Sequence, residues 1–223
     1  MTYLAWGILV EGNSDFQYYE VLIPRVLEEI LSFSGVRPIT VAPVAAIRVG
    51  SSGRSVEKVA EEICSTKEAY HIFFIHADTG GRSQQRGIAS RSSDYCKAAN
   101  ELCGFRLDRC VEIIPRHETE AWALCDADAV LETIGYRGGA TDLGLPQTAT
   151  AAETLRDPKA VLADAIAAAR SNRRRGSSLR IPLSAIAQRP SLDKLRMANS
   201  FSQFENSLRS ALISLGLLPQ PQS

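Results

Sequence analysis

The chain of 223 residues lacks any apolar run close to the roughly 18 to 20 residues that a membrane-spanning helix needs. Its opening stretch, MTYLAWGILVEGNSD, lacks the basic region and cleavage site of a secretory signal. These absences point away from a helical membrane protein and make a cytoplasmic one the expectation. No CxxC pair occurs, and the five cysteines, Cys64, Cys96, Cys103, Cys110 and Cys125, are odd in number. A structural zinc site is therefore not expected, and reduced thiols are. No cysteine has an obvious basic or histidine partner to lower its pKa, so no thiol is assigned as a nucleophile. No GxxxxGK[ST] is present, which argues against ATP hydrolysis through a P-loop of its own. Aromatic residues are only 7% of the chain and are hardly interleaved with arginines, so base stacking and sequence readout gain no support.

What is present is an ordinary globular composition, 45% hydrophobic and 22% charged, enough for one sizeable core with an appended segment. The formal net charge of zero hides an asymmetry: residues 1–134 carry 13 basic and 19 acidic side chains, and residues 135–223 carry 12 basic and 6 acidic. The two parts thus have opposite electrostatic character. Arginine outnumbers lysine 20 to 5, a bias that suits bidentate phosphate contacts.

Tyr3 to Val10 is an apolar run of strand length. From Ser14 to Phe33 apolar residues then recur at helical spacing, with Asn13 or Ser14 as the cap and Pro24 expected to kink or split the helix. Ile39 to Val49 reads as a second strand, and Ser55 can cap a helix running to about Ala69. HIFFIHAD is a third strand ending in a carboxylate. A helix from about Ile88 to Cys103, a strand from Arg109 to Pro115 and a helical pattern around Trp122 follow. Strands alternating with helices predict an α/β fold with a mostly parallel sheet of about four strands covered on both faces. Beyond Gly135 the composition turns helical, with an alanine-rich helix from about Ala151 to Ala169 and a last one from about Gln203 to Leu215. The expected organisation is an α/β domain over 1–134 and a helical segment over 135–223 packed on it.

Three strand ends deliver acids: Glu11 and Asp15, then Asp78, then Glu118 and Glu120. In a parallel sheet these ends share one edge, where open α/β sheets place their sites. Converging carboxylates repel unless a cation neutralises them, and hard oxygen ligands select Mg²⁺ or Mn²⁺. Taken singly, each acid is equally a helix-terminal charge. His117, beside two of the acids, is either an aid to proton transfer or a surface loop residue. The basic stretch with Arg170, Arg173, Arg174, Arg175 and Arg180 is either a phosphate-binding surface or a solvated loop. Arg82, Arg86 and Arg91 lie nearer the acidic edge.

The succession ILVEGNSD, helix, FFIHAD, IIPRHETEAW resembles the Toprim fold shared by topoisomerases, bacterial primases and the nucleases of the overcoming-lysogenisation-defect family. More closely, the chain is similar to small bacterial Toprim-like proteins of unassigned function that are often encoded beside ATPases in anti-phage or mobile loci. The similarity covers nearly the whole chain, including the closing LRMANSFSQFENSLRSALISLG. By this resemblance Glu11 matches the glutamate after the first Toprim strand, and Asp15 the second acid of the nucleases' ExxxD pattern. Asp78 matches the second aspartate of the Asp-x-Asp motif. His76 stands where the first aspartate would be; it is either a ligand for Mn²⁺, an orienter of water, or a buried histidine satisfied by its surroundings. Glu120 or, second, Glu118 would supply the missing acid.

The resemblance implies a Mg²⁺- or Mn²⁺-dependent nuclease, or the nuclease subunit of a defence-type system working with an ATPase partner. Nucleic acid, with DNA expected first, would be its substrate. Glu11, Asp78 and Glu120 would hold the cation, with Asp15 and Glu118 serving a second cation or the water. Arg82, Arg86, Arg173, Arg174 and Arg175 would hold the backbone. The alternative is a catalytically degenerate Toprim scaffold that binds and regulates an ATPase.

Overall fold

The structure, a computed structural model, describes residues 3–10, 12–43, 45–47, 55–78, 89–171 and 181–220. Four parallel strands form the central sheet: β2 (Trp6–Leu9), β4 (Ala45–Ile47), β5 (Ile72–His76) and β6 (Cys110–Ile113), in the order β4-β2-β5-β6. Two short strands, β1 (Tyr3–Leu4) and β3 (Thr40–Val41), pair in parallel just before β2 and β4. Each of the first two predicted strands is thus broken in two. The register explains the break, since Leu4 faces Val41 but Gly7 faces Ala45, so the second strand carries one extra residue. That residue falls around Pro43, which has no N–H to give to a ladder. The Ala42 carbonyl at this point accepts instead from the Trp6 indole N–H at 2.9 Å. A Cβ at Gly7 would lie only 3.0 Å from the Phe73 ring and 3.1 Å from the Tyr70 ring, so glycine lets these rings pack closely on the strand.

Helices cover both faces, because β2 and β5 are apolar on both sides. Trp6, Ile8, Ile72 and Phe74 point to one core with α1 (Asn13–Ser34), whereas Leu9, Phe73 and Ile75 point to a smaller one with α2 (Val56–Thr66) and α3 (Ala89–Cys103). The buried face of α1 holds Tyr18, Tyr19, Leu22, Ile23, Val26, Leu27, Ile30 and Leu31, the spacing read from the sequence. Pro24 neither splits nor ends this helix. Buried contacts on both sides of it outweigh the roughly 3 kcal/mol that an interior proline costs. Ser55 caps α2 by accepting from the Lys58 N–H at 3.3 Å.

After β6 the regular structure of the described residues is all helical. The helices are α4 (Thr119–Ala123), α5 (Ala127–Ile134), α6 (Ala149–Thr154), α7 (Pro158–Ser171), α8 (Leu183–Ala187), α9 (Leu192–Arg196) and α10 (Asn199–Ser214). The alanine-rich helix expected over 151–169 is two helices: α6 stops at Thr154, and α7 restarts at Pro158, with Asp157 accepting the Ala160 N–H at 2.8 Å. Proline in the first turn and aspartate before it form a strong start signal. Trp122 packs against Phe201 and Phe204, with ring centroids 5.1 and 5.5 Å apart, so α4 and α10 share the larger core with α1 and the sheet. Among the described residues no helix is long and apolar enough to cross a membrane.

The expectation of five reduced thiols is not what the structure contains. Cys64–Cys103 and Cys96–Cys110 are disulfide-bonded, with Cα atoms 5.9 and 6.4 Å apart, and Cys125 is free and buried. Counting cysteines cannot reveal that α2, α3 and β6 meet around the smaller core; their packing sets the separations that a bridge requires. The purified chain is expected to be four hydrogens lighter than its reduced form, with 64–103 and 96–110 cross-linked peptides in an unreduced digest. A mass matching five free thiols would contradict this.

Candidate metal centre

From β2 the chain crosses to β4 on one side, then returns past β2 to β5 and β6 on the other. The carboxyl ends of β2 and β5 therefore flank a topological switch point, where α/β sheets open a crevice. Beyond β2, extended Gly12 starts α1 and gives its N–H to Asp15 Oδ2 at 2.9 Å, half of a capping box. Beyond β5, His76 ends the strand and Asp78 follows. Beyond β6, the turn through Arg116, His117 and Glu118 leads into α4, whose first residue is Thr119.

These three strand ends meet. Thr119 Oγ1 donates to Asp15 Oδ1 at 2.8 Å and lies 3.1 Å from the Tyr19 hydroxyl and 3.2 Å from His76 Nε2. His76 Nε2 also lies 3.2 Å from Asp78 Oδ1. One ligand atom from each of Asp15, His76 and Asp78 lies within 4.8 Å of the others. Asp15, His76, Thr119 and Glu120 are buried, whereas Asp78 and Glu118 are half-exposed. Despite its distance from His76, Asp78 Oδ1 lacks the alignment of a hydrogen bond, and among the described residues it is buried without a partner, as is Glu118 Oε2.

The electrostatics agree with a site short of positive charge. The Glu118 carboxyl is pushed above its ordinary value, first by burial and then by Asp78; the Lys159 side chain and its backbone N–H, at the start of α7, pull the other way. Glu120 is raised by burial, and its neighbours Glu118 and Asp15 add to the shift against Lys159. Like charges held together in a partly dry crevice favour the neutral acid. Two buried carboxylate oxygens with no donor among the described residues therefore fit a hard cation.

Of the residues expected from the sequence, Asp15, His76 and Asp78 come within ligand distance of one another here, whereas Glu118 and Glu120 lie outside that group and are near enough only for charge to couple Glu118 to Asp78 and Glu120 to Asp15. Glu118 carries the bare oxygen; Glu120, two positions on, is deeper. Glu11, Arg82, Arg86, Arg173, Arg174 and Arg175 lie outside the described residues. Arg170 is exposed in the last turn of α7. Sequence reasoning missed Thr119, Tyr19 and Lys159. Thr119 has no local signal, since its partners Asp15 and His76 are 104 and 43 positions away.

His117 has φ 71°, the only non-glycine with positive φ among the described residues. A left-handed residue here costs about 1 kcal/mol or more and turns the chain so that Glu118 enters the crevice. His117→Gly is expected to be the mildest replacement, with His117→Val less stable than it by at least about 1 kcal/mol. Equal chemical-denaturation midpoints for the two variants would show that this backbone conformation is not a constraint.

No protein-family model, curated protein or solved structure matches the chain.

Proposed function

We propose that the protein is a divalent-metal-dependent nuclease on a Toprim-like scaffold, acting alone or as the nuclease subunit of an ATPase partner. One observation carries the reading: Asp15, His76 and Asp78 gather at the switch point, and two buried oxygens, Asp78 Oδ1 and Glu118 Oε2, accept no hydrogen bond from the described residues. Oxygen donors favour Mg²⁺ or Mn²⁺. Asp78 and Glu118 would hold the cation together with Glu11, and such an ion activates water and neutralises charge on a phosphoryl group.

The chain's own residues would do the rest. Glu120, with its raised carboxyl, is suited to take or return a proton nearer neutrality than an ordinary carboxylate. Asp15 has both oxygens engaged, by the Gly12 N–H and the Thr119 hydroxyl, so its part is to join α1 to α4 beneath the site. The arginines Arg82, Arg86, Arg173, Arg174 and Arg175 would hold the nucleic-acid backbone.

The test is calorimetric titration of Mg²⁺ and Mn²⁺ into wild type and Glu11→Gln/Asp78→Asn, with plasmid nicking assayed on the same samples. Binding and nicking that both disappear in the variant support the nuclease. Binding with no nicking, even when nucleic acid is present, counts against hydrolysis by the isolated chain. A second reading, a degenerate scaffold that docks an ATPase, is favoured by one observation: His76 replaces an acid, and its Nε2 already faces Thr119 and Asp78. A stable ATPase complex unaffected by Asp78→Asn, from a wild type that binds neither cation, would decide for it.

A further inference from the structure

We infer that His76 is locked as its Nε2–H tautomer by a Tyr19–Thr119 hydrogen-bond relay and serves the site as a donor to Thr119, not as a cation ligand. The part concerning a cation rests on the nuclease reading above, whereas the tautomer does not. The argument is a count of protons around one oxygen. Thr119 Oγ1 has a single proton and two lone pairs. Asp15 Oδ1, at 2.8 Å, can only accept, and the other Asp15 oxygen already accepts from the Gly12 N–H. The threonine proton is therefore committed to Asp15.

Two neighbours of Thr119 Oγ1 remain, the Tyr19 hydroxyl at 3.1 Å and His76 Nε2 at 3.2 Å. With no proton left on the threonine to share, both must donate to it. His76 Nε2 thus carries hydrogen. Asp78 Oδ1 lies 3.2 Å from the same nitrogen without the alignment of a hydrogen bond, so there only the electrostatics favour a proton over a bare lone pair. The opposite tautomer would place an N–H at Nδ1, which is buried without a hydrogen-bond partner among the described residues, at the full cost of an unsatisfied donor. The Tyr19 ring, with its centroid 4.9 Å from that of His76, holds the imidazole in place.

The consequence is chemical selectivity. Binding a cation through Nε2 would require moving its proton to the orphaned Nδ1 and breaking the bond to Thr119. Imidazole-seeking ions such as Zn²⁺ and Ni²⁺ then gain no nitrogen, and the site offers oxygen alone. Tyr19 and Thr119 are positioning residues that act through His76 and Asp15.

The experiment is long-range ¹H–¹⁵N correlation NMR of the full chain, metal-free at neutral pH, with His76→Gln used to assign His76 among the three histidines. The expected pattern is a protonated Nε2 and an unprotonated Nδ1. A protonated Nδ1, or averaging of the two nitrogens, overturns the proposal. In Thr119→Val the ring is expected to lose its lock and average, while Thr119→Ser, which keeps the hydroxyl, retains the wild-type pattern. A lock that survives in folded Thr119→Val overturns the relay. Addition of Mg²⁺ should leave Nε2 protonated while shifting signals of the acidic edge, and loss of the Nε2 proton overturns the donor role. No Mg²⁺ response anywhere would sink the metal reading and leave the tautomer standing on the metal-free spectra.

Discussion

If the site works as proposed, Asp78→Asn is expected to reduce divalent-cation binding and metal-dependent cleavage by on the order of 100-fold or more, while leaving the metal-free protein at least as stable as wild type. The two effects share one cause. Asp78 presents a buried oxygen that no donor among the described residues satisfies, and its charge adds to burial in raising the Glu118 carboxyl. Removing that charge takes away a ligand and also relieves repulsion, as is common where function keeps a site destabilised. A variant that loses cleavage together with much of its thermal stability would instead mark Asp78 as a structural residue.

The same crowding sets a pH dependence. Glu118 and Glu120 have folded carboxyls raised above their ordinary value, mainly by burial. Such groups contribute stability that is fully present below the unfolded value and lost as pH rises through the folded one. Their part of the thermal midpoint should therefore fall between the ordinary carboxylate range and neutrality, and saturating Mg²⁺ should flatten the fall. Asp126 acts in the opposite sense. Burial would raise it, but hydrogen bonds from Lys194 and from the Ser191 and Ala129 N–H groups prevail and hold it low. Its contribution is lost only on further acidification. A midpoint that rises between those pH values in Asp78→Asn, wild type and Mg²⁺-loaded protein alike would contradict the account of Glu118 and Glu120.

Glu153→Ala is expected to lower stability by about 3 kcal/mol, which for a chain of this size is a fall in Tm of roughly 10 °C. Helix α10 starts after Ala198, which has no side chain that can cap it. The buried Glu153 carboxylate of α6 does so instead, accepting the Asn199 N–H at 2.8 Å, the Ser200 N–H at 2.9 Å and the Ser200 hydroxyl. Ser200 Oγ in turn accepts the Trp122 indole N–H at 2.8 Å, so one carboxylate links α6, α10 and α4. Its negative charge also suits the positive end of a 16-residue helix. Truncation leaves these part-buried donors unpaired. Glu153→Gln exchanges one acceptor for a donor facing an N–H, so it should fall between wild type and alanine in urea denaturation. A Glu153→Ala midpoint indistinguishable from wild type would remove the cap from the account.

The strands, the helices and the acids at strand ends were legible in the sequence because each depends on neighbouring residues. Apolar runs of strand length gave β2, β5 and β6 their places; a spacing of three and four gave α1; Ser55 marked the start of α2. Alternation of the two kinds of element then implied parallel strands, and parallel strands implied that Asp15, Asp78 and the Glu118–Glu120 pair share an edge. Tertiary structure alone decided the rest. The break of the first two predicted strands comes from a register offset between chains 37 and 38 residues apart. Helix α10 begins earlier than its apolar pattern because its cap lies 46 positions away in Glu153. The disulfides depend on how α2 and β6 pack against α3. Thr119, which has no motif around it, joins Asp15, Tyr19 and His76 because three strand ends close on it. The division has one physical reason: periodicity and turn chemistry act over a few residues and can be read locally, whereas a hydrogen bond or a bridge between distant residues exists only once the chain has folded.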